Sequence, residues 1–491
     1  MNKIKLFYKY VARLLFLVIV ISVGIKPVCM NADTDKCSAR NITLHVNSGD
    51  TYNIKALGIY YYDNTYVSLR DMALALSGTE KAFEVSVDSQ SVAILTGQDY
   101  VAPASGNAPF SEDLTSQVYG VYYTLGLYNM TVNGSNVKIF SMIGSPDGVY
   151  DCFISLTDFA LIFDVDIWMN NGELYIDTSK NFTIDINDLD ERNYFSIVSS
   201  ALVGDATTGE ILYSYEGDVS VPIASTTKLM TYLVVMDSIT RGSVSMDDVV
   251  EISANAEWIA YSEDGTILMD EGDTTSIEDL LYGLLLPSSN EAALVLAEHV
   301  AGNEQAFVGM MNETARNIGL SDETIFYNCN GLPVYTQDTI TGKLQNHMTA
   351  EDMFKLVCYI LKAYPQITDI TSMKSAYLSS FGIYVNNTNF LLYNMPGVNG
   401  LKTGTTNKAG ACLVSSYPVM LADGVHTVVA IEFGAENAYM RATVSQLLLT
   451  YGMQKLLGEE PDIHEDSSEI IIPDNAEELC QKMIENARKS K

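Results

Sequence analysis

Two periods of apolar residues divide the chain. Between residues 36 and 185 apolar and polar positions alternate in short stretches such as 83–95 and 165–176, the pattern of half-buried strands. Within that region Tyr66-Val-Ser-Leu-Arg-Asp-Met-Ala-Leu-Ala-Leu76 matches Phe153-Ile-Ser-Leu-Thr-Asp-Phe-Ala-Leu-Ile-Phe163, sharing Ser, Leu, Asp, Ala and Leu at a constant separation of 87 positions. Ser68 and Ser155 stand where an N-cap satisfies the open N–H groups of a short helix, and Asp71 and Asp158 three residues on favour its positive end. Each copy predicts a strand, a helix and a following strand pair, which together make a small duplicated α+β domain.

Residues 185–193 turn acidic and polar, as a solvated linker between domains does. From 194 to 456 the pattern mixes periods. Residues 200–213 read as a β-hairpin turning at Gly209. Helices are predicted around 225–238, 276–286, 291–301, 304–318, 349–363 and 437–453, and strands around 399–405, 410–417 and 425–433. This mixture implies an α/β unit with a sheet covered by helices.

Charge narrows the choice of partners. With 28 Lys and Arg against 61 Asp and Glu, the net charge of −33 leaves no basic face for a nucleic acid. The cations that do occur early, Lys3, Lys5, Lys9 and Arg13, precede an apolar run at 14–25, which predicts a signal peptide over residues 1–32 and hence export. Cleavage after Ala32 takes away five cations and no acid, so the charge moves from −33 to −38; Met30 is large for its place, which leaves a retained anchor as the alternative. Cys29 follows Lys26, Pro27 and Val28 and lacks the small residue expected before a lipidated cysteine. The seven cysteines show no C-x-x-C spacing and the five histidines are dispersed, so no metal site and no cofactor are expected, and His347 reads as a structural residue. Export permits a disulfide such as Cys329 with Cys358, but spacing fixes no pairing.

The candidate chemistry lies in the second unit. Pro222-Ile-Ala-Ser-Thr-Thr-Lys228 opens an apolar helical run and contains Ser225 and Lys228 as an S-x-x-K pair. Spacing of three puts the amine one turn beyond the hydroxyl, within reach of its proton, provided that burial and a second nearby cation keep the lysine neutral. Ser135-Asn-Val-Lys138 also matches S-x-x-K, but in an alternating stretch without a helix start. Ser288-Ser-Asn290 is an S-x-N element in a turn between two apolar helices, unlike Ser105-Gly-Asn107 and Ser253-Ala-Asn255. Lys402-Thr403-Gly404 is the one K-T-G in the chain; Gly404 would let a substrate backbone lie against an edge strand, while Lys402 and Thr403 offer charge and hydroxyl to a carboxylate.

In that order, S-x-x-K, S-x-N and K-T-G resemble the active-site set of the serine penicillin-binding proteins and β-lactamases. The flanking words over roughly 195–455, including Leu-Leu-Pro-Ser-Ser-Asn-Glu-Ala-Ala and Asn328-Cys-Asn-Gly-Leu332, are most similar to the D-alanyl-D-alanine carboxypeptidases of low molecular mass. The resemblance implies an antiparallel sheet covered by helices and an acyl-enzyme on Ser225. Lys228 would be the base, Ser288 a proton relay, Asn290 a holder of the substrate amide, and Lys402, Thr403, Gly404 and Thr405 the strand that binds the terminal carboxylate. The N–H groups of Ser225 and Thr405 would form the oxyanion hole. It further implies peptidoglycan stem peptides ending in D-Ala-D-Ala as substrate, β-lactams as covalent inhibitors, and a place in the cell wall or at the outer face of the cytoplasmic membrane. The duplicated region at 36–185 is similar to the stalk-type copper amine oxidase N-terminal-like domain, which implies no copper here; it would attach the chain to wall or membrane, or serve as a spacer.

Three departures bear on this reading. The segment 457–491 is an acidic tail with one short helix predicted at 475–489, too short for the C-terminal stalk of many relatives. No E-x-x-L-N follows Ser288, the nearest match being Glu313-Thr-Ala-Arg-Asn317, which argues against a β-lactamase. Arg441, just past the last strand, either assists carboxylate binding or is an exposed helical charge, and the second is the expectation. Endopeptidase activity and a non-turnover penicillin sensor remain the other readings.

Overall fold

The computed structural model describes residues 38–459 apart from 48, 59–64, 102–123, 127, 140, 145–149, 171, 192–194, 263 and 336–342. The segments at 1–32 and 475–489, Ser105-Gly-Asn107 and the cysteines 29, 37 and 480 lie outside these residues. The described chain divides after Phe182 into two compact units.

In the first unit an eight-stranded sheet runs in the order Asp166–Asn170, Glu173–Asp177, Ser38–Val46, Asp50–Gly58, Thr65–Ser68, Asp151–Ser155, Ser141–Gly144, Thr124–Gly126, beside a four-stranded sheet that begins with the hairpin Phe83–Val87 and Ser91–Thr96. The helices Leu69–Ala75 and Leu156–Phe163 start at Ser68 and Ser155, whose hydroxyls accept from the N–H of Asp71 and Asp158. Both 87-separated segments therefore fold as strand, capped helix and hairpin, and their strands pair antiparallel with the corresponding residues Val67 and Ile154 opposite each other. Alternation places Leu44, Val46, Ile54, Leu174 and Ile176 in the core beneath the large sheet.

In the second unit five antiparallel strands stand in the order Glu210–Tyr215, Ser200–Asp205, Gly424–Ala435, Gly410–Leu421, Gly400–Thr406. Helix Ala438–Leu457 presses Gly452 onto Val203 and Val428, while Phe354 of helix Ala350–Ala363 lies against the adjacent Gly204. Neighbouring strand positions face opposite ways, so the two helices cover opposite faces of the sheet. Helices Lys228–Thr240, Ile277–Leu285, Asn290–Ala301 and Glu304–Asn317 build the rest of the core. The Lys228–Thr240 helix is apolar nearly all round, as a helix buried on every side must be.

One expectation changes. Within the acidic stretch expected to be an open linker, Ile186–Glu191 is a helix, Leu189 is buried, and the side-chain amide of Gln454 both donates to and accepts from the Ile184 main chain at 3.0 Å. Cys329 and Cys358 are free thiols, as are Cys152 and Cys412. Ser135–Val137 is a strand and Ser253 caps the helix Ala254–Ala260, so both decoy motifs serve secondary structure. Among the described residues no helix is long and apolar enough to cross a membrane, and no cluster of His, Cys, Asp or Glu could hold a metal ion.

Candidate active site

The edge strand Gly400–Thr406 carries K-T-G, and the 3-10 turn Ala224–Thr227 packs against it before the chain enters the Lys228–Thr240 helix. A 3-10 turn has three residues per turn, so positions 225 and 228 eclipse more closely than in an α-helix. Lys228 is fully buried and Ser225 half-buried. Lys228 Nζ lies 2.8 Å from Ser225 Oγ, 2.8 Å from Asn290 Oδ1 and 2.8 Å from the main-chain oxygen of Asn330. Two of these neighbours are carbonyl oxygens, which can only accept. A neutral amine therefore spends its two N–H groups on Asn290 and Asn330 and turns its lone pair to the hydroxyl of Ser225, the arrangement of a base beside a nucleophile.

Burial favours the neutral amine: it pulls Lys228 down to about 7, against the opposing pull of Cys329 and Glu291. Lys402 is buried too, donates to the Thr403 main-chain oxygen at 2.9 Å, and is held well below the ordinary lysine range by burial and then by repulsion from Lys228 and Arg441. The expected second amine is thus close by, but the lowering of Lys228 comes from desolvation.

Two close approaches fix the nucleophile. A Cβ on Gly404 would stand 2.8 Å from the Ser225 nitrogen and 3.0 Å from the Ile223 oxygen. A Cβ on Gly331, whose φ is +89°, would stand 2.1 Å from the Ala224 oxygen. Gly404 is small because the turn bearing Ser225 sits on it, a reason additional to room for a substrate backbone. Ala224 itself has φ 47°, a left-handed conformation next to the nucleophile.

Asn290 begins the helix Asn290–Ala301, capped by Ser289, and its Nδ2 donates to the Asp264 oxygen at 2.8 Å. The carboxylate of the adjacent Glu291, fully buried, accepts from the N–H groups of Thr266 and Ile267 and so ties down the same loop. Ser288 is half-buried at φ 67° and makes no hydrogen bond to Ser225 or Lys228. Thr403 Oγ1 is hydrogen-bonded to Thr388 Oγ1, and Thr405 is exposed at the end of the edge strand.

Arg441 is buried, not an exposed helical charge. Its Nη1 donates to the Gly404 oxygen and to Thr405 Oγ1, each at 3.0 Å, and lies 3.4 Å from the Cys412 oxygen. Sequence reading also leaves Asn330 and Asn346 without a role. Asn346 accepts from the N–H of Tyr327 at 2.7 Å and donates to Thr227 Oγ1 and the Asn328 oxygen at 3.0 Å each, pinning the loop that offers the Asn330 carbonyl to Lys228. A main-chain oxygen leaves no side-chain signature, so only the word Asn328-Cys-Asn-Gly-Leu332 marked the place.

The profile of a family described as D-alanyl-D-alanine carboxypeptidase, peptidase S11, matches residues 196–433. The chain is 32% identical over 253 residues to D-alanyl-D-alanine carboxypeptidase DacF of Bacillus subtilis, a match covering 51% of this chain and 60% of that protein. It is 32% identical over 249 residues to a D-alanyl-D-alanine endopeptidase of Pseudomonas aeruginosa, covering 50% of this chain and 74% of that protein. A solved structure of penicillin-binding protein 6B from Escherichia coli is 31% identical, with a TM-score of 0.46 and coverage of 52% of this chain and 77% of that one. The chain thus spans about three fifths of the length of DacF.

Proposed function

The chain belongs to the D-alanyl-D-alanine carboxypeptidase family, peptidase S11, and on that premise we propose that it removes the terminal D-Ala from peptidoglycan stem peptides through an acyl-enzyme on Ser225. The observation that carries this is the buried Lys228 amine, held by the Asn290 and Asn330 carbonyl oxygens 2.8 Å from the Ser225 hydroxyl, where burial lowers its pKa to about 7. Ser225 Oγ attacks the carbonyl carbon of the penultimate D-Ala as its proton passes to Lys228 Nζ. The peptide C–N bond breaks, and that proton goes to the departing amine of D-Ala, with Ser288 as the relay. Water then attacks the ester, the shortened peptide leaves as a carboxylic acid, and Ser225 regains its proton. Lys402 and Arg441, flanking Thr403 and Thr405, supply positive charge for the substrate carboxylate, and Asn290 holds the substrate amide besides orienting Lys228.

A β-lactam acylating Ser225 would be a covalent inhibitor. The basic and apolar start of the chain supports export, to the wall or to the outer face of the cytoplasmic membrane. The first unit, with its two similar strand–helix–hairpin segments, supports an assignment as a duplicated copper amine oxidase N-terminal-like module that attaches the chain to wall or membrane.

One relative is named an endopeptidase, so cleavage of cross-links is the second reading. Products from a wall digest separate the two. The first reading expects free D-Ala from uncross-linked pentapeptides with cross-linked dimers untouched; dimers falling to monomers without free D-Ala would favour the second.

A further inference from the structure

The first unit carries a groove of about 740 Å³ on the large sheet, within the range of about 300–1,000 Å³ usual for ligand sites. We propose that this groove binds a chain of uncharged pyranose sugars, independently of the catalytic unit. Its aromatic side is set by strand register. Trp168 pairs with Tyr175, Tyr175 with His45, and His45 with Thr51, so the four lie in one row across neighbouring strands, on the face opposite the core residues Leu44, Leu174 and Ile176.

The row is held in place before any ligand arrives. His45 and Tyr175 stack at 4.4 Å between ring centroids and 12° between planes, and Trp168 continues the stack at 5.5 Å and 17°. Glu173 Oε2 lies 2.8 Å from His45 Nε2 and accepts from the Tyr175 hydroxyl at 3.3 Å, fixing two of the three rings with one carboxylate. The rings are only half-buried and border the groove. Asp50 and Thr51 supply a carboxylate and a hydroxyl to the remaining wall, beside Asp177, whose Oδ1 accepts from the Ser179 hydroxyl at 2.6 Å.

That combination selects the ligand class. The C–H face of a pyranose packs on aromatic rings, while its hydroxyl and acetamido N–H groups donate to carboxylates. Among the described residues lining the groove none is Lys or Arg; Lys180 stands 3.9 Å from Asp177, but Asp50 and the strongly negative molecule repel phosphate- or carboxylate-bearing polymers. Where such sugars belong to the polymer that carries the stem peptides, which rests on the function proposed above, binding would raise the effective substrate concentration.

The test uses the full chain and a soluble hexamer of β-1,4-linked N-acetylglucosamine. The chain has two tryptophans, Trp168 and Trp258, so Trp258→Phe leaves Trp168 as the sole reporter of the groove. Titration should change its emission saturably, with half-saturation below about 1 mM. Tyr175→Ala should weaken binding more than tenfold. Asp50→Ala, at an exposed position that cannot unfold the sheet, should weaken it about fivefold, roughly 1 kcal/mol. Both variants should still release D-Ala from a short soluble peptide at the parent rate, which keeps failure here distinct from failure of the catalytic reading. An emission unchanged by the hexamer, binding undiminished in both variants, or preferential binding of a polyanionic polymer would each overturn the proposal.

Discussion

At the scale of single residues the account turns on Lys228. Its amine is fully buried and pulled down to about 7, far below the roughly 10.4 of a lysine in an unfolded chain. Acylation needs the neutral form, so the rate of penicillin acylation should rise as pH passes through about 7 and level off above it. A profile flat between pH 5.5 and 8.5 would contradict this. The same shift has a stability consequence of definite sign. As pH falls from about 10 to about 7 the unfolded chain takes up a proton that the folded chain refuses, so Lys228 increasingly destabilises the fold, with no further loss below about 7. Lys228→Met should therefore abolish acylation yet stabilise the protein by about 1–3 kcal/mol at pH 7.5, after allowing for two lost hydrogen bonds; thermal unfolding of the two proteins checks it. Gly404→Ala should act the other way on geometry. Its Cβ meets main-chain atoms that cannot swing aside, so the Ser225 turn must move, and acylation should slow by about 100-fold with the unit still folded. The pairing of Ser225 with Lys228 was legible from spacing and context. The reason for Gly404 was not, because its close neighbours Ile223 and Ser225 are remote in sequence.

At the scale of elements, the long amphipathic or apolar segments declared themselves, and the main strands and helices of the second unit lie where periodicity put them. Short pieces did not. Ala254–Ala260, Ile367–Thr371 and the hairpin Ser375–Leu378 with Ile383–Asn386 are too brief to show a period and are stabilised by tertiary contacts. Arg441 was misjudged for a related reason: on its own helix it is one charge, and only folding brings the Gly404 and Cys412 carbonyls to it. Glu291 shows what such contacts contribute. Its carboxylate satisfies the buried N–H groups of Thr266 and Ile267 in the loop that also anchors Asn290. Glu291→Ala should cost about 2–4 kcal/mol in chemical denaturation, since two donors lose their partner. A loss below about 0.5 kcal/mol would remove Glu291 as the tie of that loop.

At the scale of the whole molecule, the two units have separate cores. The chain divides after Phe182, and the acidic composition near residue 185 concealed a helix that belongs to the second unit, because a solvated face and a linker look alike in composition. Residues 183–464 on their own should hydrolyse a short soluble peptide at nearly the rate of the full chain. A large loss from a folded fragment would show that the first unit completes the site. The central claim is tested most directly by D-alanine released from an N-acylated L-Lys-D-Ala-D-Ala peptide, measured for the purified chain beside its Ser225→Ala variant. The parent should release D-alanine continuously and the variant none above background. Equal release from both would contradict it, as would a parent that is acylated by penicillin at Ser225 but sets no D-alanine free.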